Sequence, residues 1–169
     1  MAAVSYLMAD QTPPPLAHRD SFVVVGLEAR TSNAREMTSD GVIPKLWQQL
    51  MGKNLLAKIP NRTGNEVIAL YTDYQSDKDG AYTYLLGARV SAADAMPDGM
   101  KARTVPAGDY AVFEKHGNLA NDAVVGLWKQ VWALENEHQL ARAYRTDYEV
   151  HHFAQTGETA VELCIGVKH

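Results

Sequence analysis

The sequence predicts an α+β domain. It is a duplicated βαββ unit with pseudo-twofold symmetry, whose antiparallel sheet carries helices on one face and a ligand groove on the other. Three observations predict it. Runs of β-branched residues alternate with segments whose apolar residues recur at helical spacing. The order strand, helix, strand, strand occurs twice. The two halves also match in sequence. Pro44-Lys45-Leu46-Trp47-Gln48-Gln49-Leu50 parallels Val125-Gly126-Leu127-Trp128-Lys129-Gln130-Val131, with the tryptophans 81 residues apart. Leu86-Gly87-Ala88 parallels Ile165-Gly166-Val167, with the glycines 79 apart. An internal repeat constrains topology more than any single motif.

In chain order, residues 1–20 hold Pro13-Pro14-Pro15 and little periodicity, so they read as a flexible lead-in with a short extended piece. Residues 21–169 then form one domain, with halves 21–91 and 105–169. The first strand runs from Ser21 to Arg30 on its β-branched content, and Thr31-Ser32-Asn33 ends it with turn chemistry. A polar loop reaches Asp40, which suits a helix cap. Pro44 fits the first turn, and Ile43, Leu46, Trp47, Leu50 and Met51 form a helical stripe that Gly52 ends. Glu66–Tyr74 and Tyr82–Val90 read as strands joined by the turn Ser76-Asp77-Lys78-Asp79-Gly80. Residues 91–106 read as a connector. Gly108–Lys115 is the next strand. Asn118 or Asn121 can cap a helix bearing Val124, Leu127, Trp128, Val131 and Leu134. Tyr144–Phe153 and Thr159–Val167 close the sheet across a turn at residues 155–158.

Length and composition bound the function. At 169 residues, one domain is expected. Hydrophobic content of 46% and charged content of 21% are ordinary for a globular chain. A net charge of -4 argues against binding nucleic acid through a basic surface. The single cysteine, Cys164, rules out an internal disulfide, agrees with a reducing compartment and reads as a small core or groove residue. The N-terminus lacks the basic start and apolar run of a signal peptide, and no segment nears ~18 consecutive apolar residues. The expectation is a soluble, cytoplasmic protein that contacts no membrane.

The chemistry concentrates on Tyr144–Phe153. As a strand it places Asp147, Glu149 and His151 on one face and Tyr148, Val150 and His152 on the other. The Tyr148 side suits a core. A carboxylate on a largely aromatic surface is costly without a partner. Glu149 therefore either receives a cationic or hydrogen-bonding ligand, or pairs with Arg142, Arg145 or His151 in a solvated cross-strand contact. Tyr71, Tyr74, Tyr82, Tyr84, Tyr110, Phe113, Trp47, Trp128 and Trp132 are the aromatic groove candidates. Ring faces attract cations by ~0.5–2 kcal/mol each. Trp47 and Trp128 occupy equivalent helix positions and read equally as core wedges. Tyr82 and Tyr84 share a face, and either line the groove or pack as a unit. Glu162 alternates with Val161, Leu163 and Ile165. It is either a satisfied surface charge or a second acid on Glu149's face. His151 and His152 point to opposite faces and make a poor chelating pair. No phosphate loop, dinucleotide fingerprint or nucleophile elbow occurs, so neither a cofactor nor a metal is expected.

Five pieces together carry a family resemblance: Gly26–Asn33, Ile43–Trp47, Tyr71–Tyr74, Val105–Phe113 and Asp147-Tyr148-Glu149. Their order and spacing resemble the GyrI-like, or AraC-type, effector-binding domains. The resemblance implies a duplicated βαββ fold with a central aromatic groove that binds multiple drug-like molecules. It implies that the acidic residue of the penultimate strand, here Glu149, meets lipophilic cations in that groove. The family often has tyrosine two residues on, where this chain has His151. DNA-binding regulators of the family carry a separate helix-turn-helix domain, which twenty mostly unstructured residues cannot supply. Direct nucleic-acid contact is therefore not expected.

The combined expectation is a stand-alone effector-binding domain that captures amphipathic, cationic or aromatic small molecules. The ligand-binding set is Glu149, Tyr82, Tyr84, Trp47, Trp128, Tyr71, Phe113 and His151. The resemblance leaves two alternatives open. One is a cofactor-free hydrolase of reactive cyclopropane-containing natural products, using Glu149 with Glu162 or His151. The other is a protein-interaction module such as a gyrase modulator. A protein partner or a homodimer also stays open.

Overall fold

The strands of the expected repeat pair into one antiparallel sheet. The computed structural model describes residues 13–117, 123–154 and 157–168. The strands are β1 (Leu16–Arg19), β2 (Phe22–Ser32), β3 (Val67–Thr72), β4 (Ala81–Val90), β5 (Lys101–Val105), β6 (Gly108–His116), β7 (Arg142–Ala154) and β8 (Gly157–Val167). Their order is β1-β6-β8-β7-β3-β4-β2-β5. Reading outward from the central β7–β3 pair, each half presents its second, third and first strand. That is the pseudo-twofold expected from the repeat. The short outer strands are exchanged: β1, which precedes the first half, pairs with β6, and β5, which precedes the second, pairs with β2.

Three α-helices accompany the sheet among the described residues: α1 (Asn33–Glu36), α2 (Ile43–Gly52) and α3 (Ala123–Asn136). The helices α2 and α3 cover one sheet face. Leu46 and Leu50 of α2 pack on Val67, Ala69, Tyr84 and Leu86. Leu127, Val131 and Leu134 of α3 pack on Ala111, Phe113, Leu163 and Ile165. Each fully buried leucine contributes about 1.5–3 kcal/mol. The other face is curled on itself, and Phe22, Val24, Ile68, Leu70, Leu85 and Tyr148 form a core there without a helix. Cys164 sits in that core, 1% exposed, and burial pushes its thiol up to about 11, so it packs as the expected inert core residue.

Several boundaries differ from expectation. Leu16–Arg19, within the expected lead-in, is a sheet strand, and residues 1–12 lie outside the described set. The connector 91–106 contains β5, whose mixed sequence becomes a strand because β2 offers it a free edge. Strand β2 continues to Ser32, which caps α1 by accepting from the Arg35 amide (3.2 Å). Asp40 does not cap α2. Glu36 reaches forward instead, accepting from the amides of Val42 (2.9 Å) and Ile43 (3.0 Å). The cap candidates Asn118 and Asn121 lie outside the described residues.

Candidate ligand site

The register fixes which side chains share the helix-covered face. Tyr71 pairs with Tyr84 on one side and Asp147 on the other. Ala69 stands opposite Glu149, and Glu149 opposite Leu163. Tyr71, Tyr82, Tyr84, Asp147, Glu149 and His151 thus meet beneath α2 and α3. The groove expected on the helix-free face does not contain Glu149. A hollow of about 620 Å³ does lie on that face, lined by Tyr148, Val150, His152 and Glu162 among others. Glu162 is placed there by its register with Val150, so it is no second acid beside Glu149. It faces His152 at 3.8 Å instead.

A second cavity, of about 240 Å³, opens between the helices. Its walls are aromatic: Tyr71, Tyr74 and Tyr82 from the sheet and its turns, Trp128 and Trp132 from α3. Ile43, Pro44, Val124 and Val125 add apolar surface at the helix N-termini, and Asn33, Glu36, Lys78 and Arg142 supply the polar groups. The rings contact one another at 5.0–6.2 Å, with Tyr71 edge-on to Trp128 and tilted against Tyr82. Such packing holds large flat faces in fixed positions at little entropic cost.

Glu149 lies behind this wall, 2% exposed. Its Oε2 accepts from the Tyr71 hydroxyl (2.6 Å) and from Trp128 Nε1 (2.8 Å). Its Oε1 faces His151 Nε2 at 2.7 Å, and the other ring nitrogen of His151 bonds Glu158. Burial disfavours the charged imidazole, but the hydrogen bonds and charges of the two carboxylates outweigh it and push His151 up to about 9. His151 is therefore cationic at neutral pH. The His151 partner named from sequence is the one Glu149 takes, in a buried rather than a solvated pair. Burial, and then the charge of Glu149, holds the Tyr71 phenol well above its usual value, so it stays a donor.

A second buried acid, Asp147, is 0% exposed. It accepts from Arg142 (2.7 Å), from the Tyr74 hydroxyl (2.5 Å) and from the Gly166 amide (2.9 Å). Arg142 thus pairs with Asp147 rather than Glu149. Its guanidinium also lies 4.2 Å from the Tyr144 ring centre and 5.5 Å from that of Trp128.

The remaining candidates divide. Tyr84 is fully buried and accepts from Trp47 Nε1 (3.0 Å), supporting the cavity floor without lining it. Trp47 is half-buried and stands edge-on to His151 at 4.9 Å. Phe113 is core under α3 and does not reach the cavity. Tyr110 belongs to the other core. Asn33, Glu36, Lys78 and Arg142 were not among the expected ligand residues. From sequence Arg142 reads only as a partner for Glu149, and the others sit in α1 and a turn, where no periodic pattern flags a wall.

The comparisons with known proteins agree with this architecture. The model of the family described as integron-associated effector binding protein, Cass2, matches residues 16–167. A Bacillus subtilis (strain 168) protein named as a transcriptional regulator, YobU, is 32% identical over 137 residues, covering 80% of this chain and 84% of its own. The solved structure of an integron cassette protein, Cass2, from Vibrio cholerae is 28% identical with a TM-score of 0.74, covering 93% of this chain and 97% of its own. The structure of SAV2435 bound to tetraphenylphosphonium is 16% identical with a TM-score of 0.72, covering 93% and 94%. At that identity the likeness is one of fold. No helix among the described residues is long and apolar enough to cross a membrane.

Proposed function

This chain belongs to the integron-associated effector-binding family, of the GyrI-like type, and from that premise we propose that it captures amphipathic, cationic or aromatic small molecules in the cavity between α2 and α3. The observation that carries this reading is the cavity wall itself. Tyr71, Tyr82 and Trp128 line a space of about 240 Å³, and a buried carboxylate accepts a hydrogen bond from two of them. A hydrogen bond from ring donor to carboxylate enriches the ring's electron density. The negative charge behind the ring adds to its attraction for a cation. Glu149 therefore acts as a positioning and polarising residue rather than as the contact. A neutral aromatic ligand uses the same faces by stacking. SAV2435, which shares the fold, was solved holding a lipophilic cation of this kind. Glu149 and His151, the pair a hydrolase would use here, do not line the cavity, which supports capture over turnover.

The test is tryptophan-fluorescence titration with tetraphenylphosphonium. Glu149→Gln should weaken binding about tenfold, since one charge-assisted contact to the wall is lost. The ligand should be recovered unchanged by mass spectrometry. Binding unaltered by the substitution would remove Glu149 from the site, and a hydrolysed ligand would replace capture with catalysis.

A further inference from the structure

We propose that Glu36 is the carboxylate that meets the positive charge of a cationic ligand in this chain. The inference rests on the cavity being the ligand site. Three charged side chains line that cavity: Glu36, Lys78 and Arg142. Arg142 is committed to Asp147 at 2.7 Å, and Lys78 pairs with Asp79 at 3.2 Å. Glu36 forms no ion pair among the described residues, where its partners are the Thr31 hydroxyl (2.5 Å) and the amides of Val42 and Ile43. All three are neutral donors. They fix the carboxylate in place without cancelling its charge. The carboxylate thus lines a cavity whose other walls are mainly aromatic and apolar.

The surroundings are fitted to this carboxylate. Gly41 leaves it room, since a β-carbon there would stand 2.8 Å from Glu36 Oε1. Tyr82 and Ile43 line the cavity beside it, so a cation seated between ring and carboxylate is attracted from two sides. Glu149 is in the opposite situation: it is buried, screened by Tyr71 and Trp128, and already paired with His151. One acid polarises the wall and the other supplies the counter-charge.

The experiment compares two probes of similar shape, the cation tetraphenylphosphonium and the neutral triphenylphosphine oxide, on wild type and variants. Glu36→Gln should raise the Kd for the cation about tenfold while moving that for the neutral probe less than about twofold. Glu149→Gln should weaken both probes, because it disturbs the ring wall they share. Glu36→Gln also costs α2 a cap bond, so a second variant is included. Pro44→Lys, at the exposed rim of the cavity, brings an ammonium to the same carboxylate with its cap bonds intact, and should show the same cation-selective loss. Equal loss of both probes in both variants, or no loss in either, would overturn the role of Glu36 and leave the cavity standing as the site. Failure of wild type to bind either probe would remove both readings.

Discussion

The chain Glu149–His151–Glu158, buried at its first two members, makes one histidine responsible for much of the pH response. Its ring lies between two carboxylates and is pushed up to about 9, whereas an unfolded histidine titrates near 6.5. The folded state therefore binds the proton more tightly. The stabilisation is fully present below about pH 6.5 and is lost as pH rises through about 9, up to roughly 3 kcal/mol in all. Thermal unfolding followed by circular dichroism should fall by roughly 10 °C between pH 6.5 and 9.5 in wild type. His151→Gln should flatten that decline. An unchanged slope in the variant would mean that His151 is not the titrating group. The sequence already placed Glu149 and His151 on one face, because strand alternation is a strict geometric rule. It could not say that the pair is buried, because burial depends on α3 arriving above it.

At the scale of elements, strand pairing and helix packing make separable demands on glycine. Strands β2 and β4 pass so closely at Gly26 and Gly87 that a β-carbon on Gly87 would stand 1.9 Å from the Val25 carbonyl oxygen. Gly87→Ala should cost about 3 kcal/mol in urea denaturation, at the upper end of overpacking effects. Gly126, inside α3, has nothing within 4 Å of its added β-carbon. Gly126→Ala should stabilise by ~0.5–1 kcal/mol through helix propensity alone. A stable Gly87→Ala protein would show that the two strands can part at little cost. The elements most legible in the sequence were those with strong internal period: α2, α3 and the long strands. Strand β5 and the helix α1 were not legible. Lys101–Val105 has no apolar alternation, and its structure comes from the exposed edge of β2. The sequence suggests Asp40, the nearest acid, as the α2 cap, but the cap comes from Glu36 in the preceding helix. Sequence distance gives no hint of such a return.

At the scale of the whole molecule, the duplication builds the site. The pseudo-twofold seam runs between β3 and β7, and the cavity draws Glu36, Tyr71 and Tyr82 from the first half and Trp128, Trp132 and Arg142 from the second. Neither half encloses it alone. The repeat was readable because Trp47 and Trp128 hold equivalent positions, yet the structure breaks their equivalence. Trp128 lines the cavity, while Trp47 supports Tyr84 and His151 beneath it. A symmetric sequence signal cannot reveal which copy the function uses. A ligand held in the proposed cavity would bridge both halves, so it should stabilise the fold, by about 2.7 kcal/mol at one hundred times its Kd. A scanning calorimetry series with tetraphenylphosphonium checks this, and an unfolding temperature that does not move with saturating ligand would count against a bridging site. The most direct measurement is a crystal structure of the protein with tetraphenylphosphonium. Phenyl rings should stack on Tyr71, Tyr82 and Trp128, with the phosphonium turned toward Glu36. Density on the helix-free face, beside Tyr148 and Glu162, would contradict this placement.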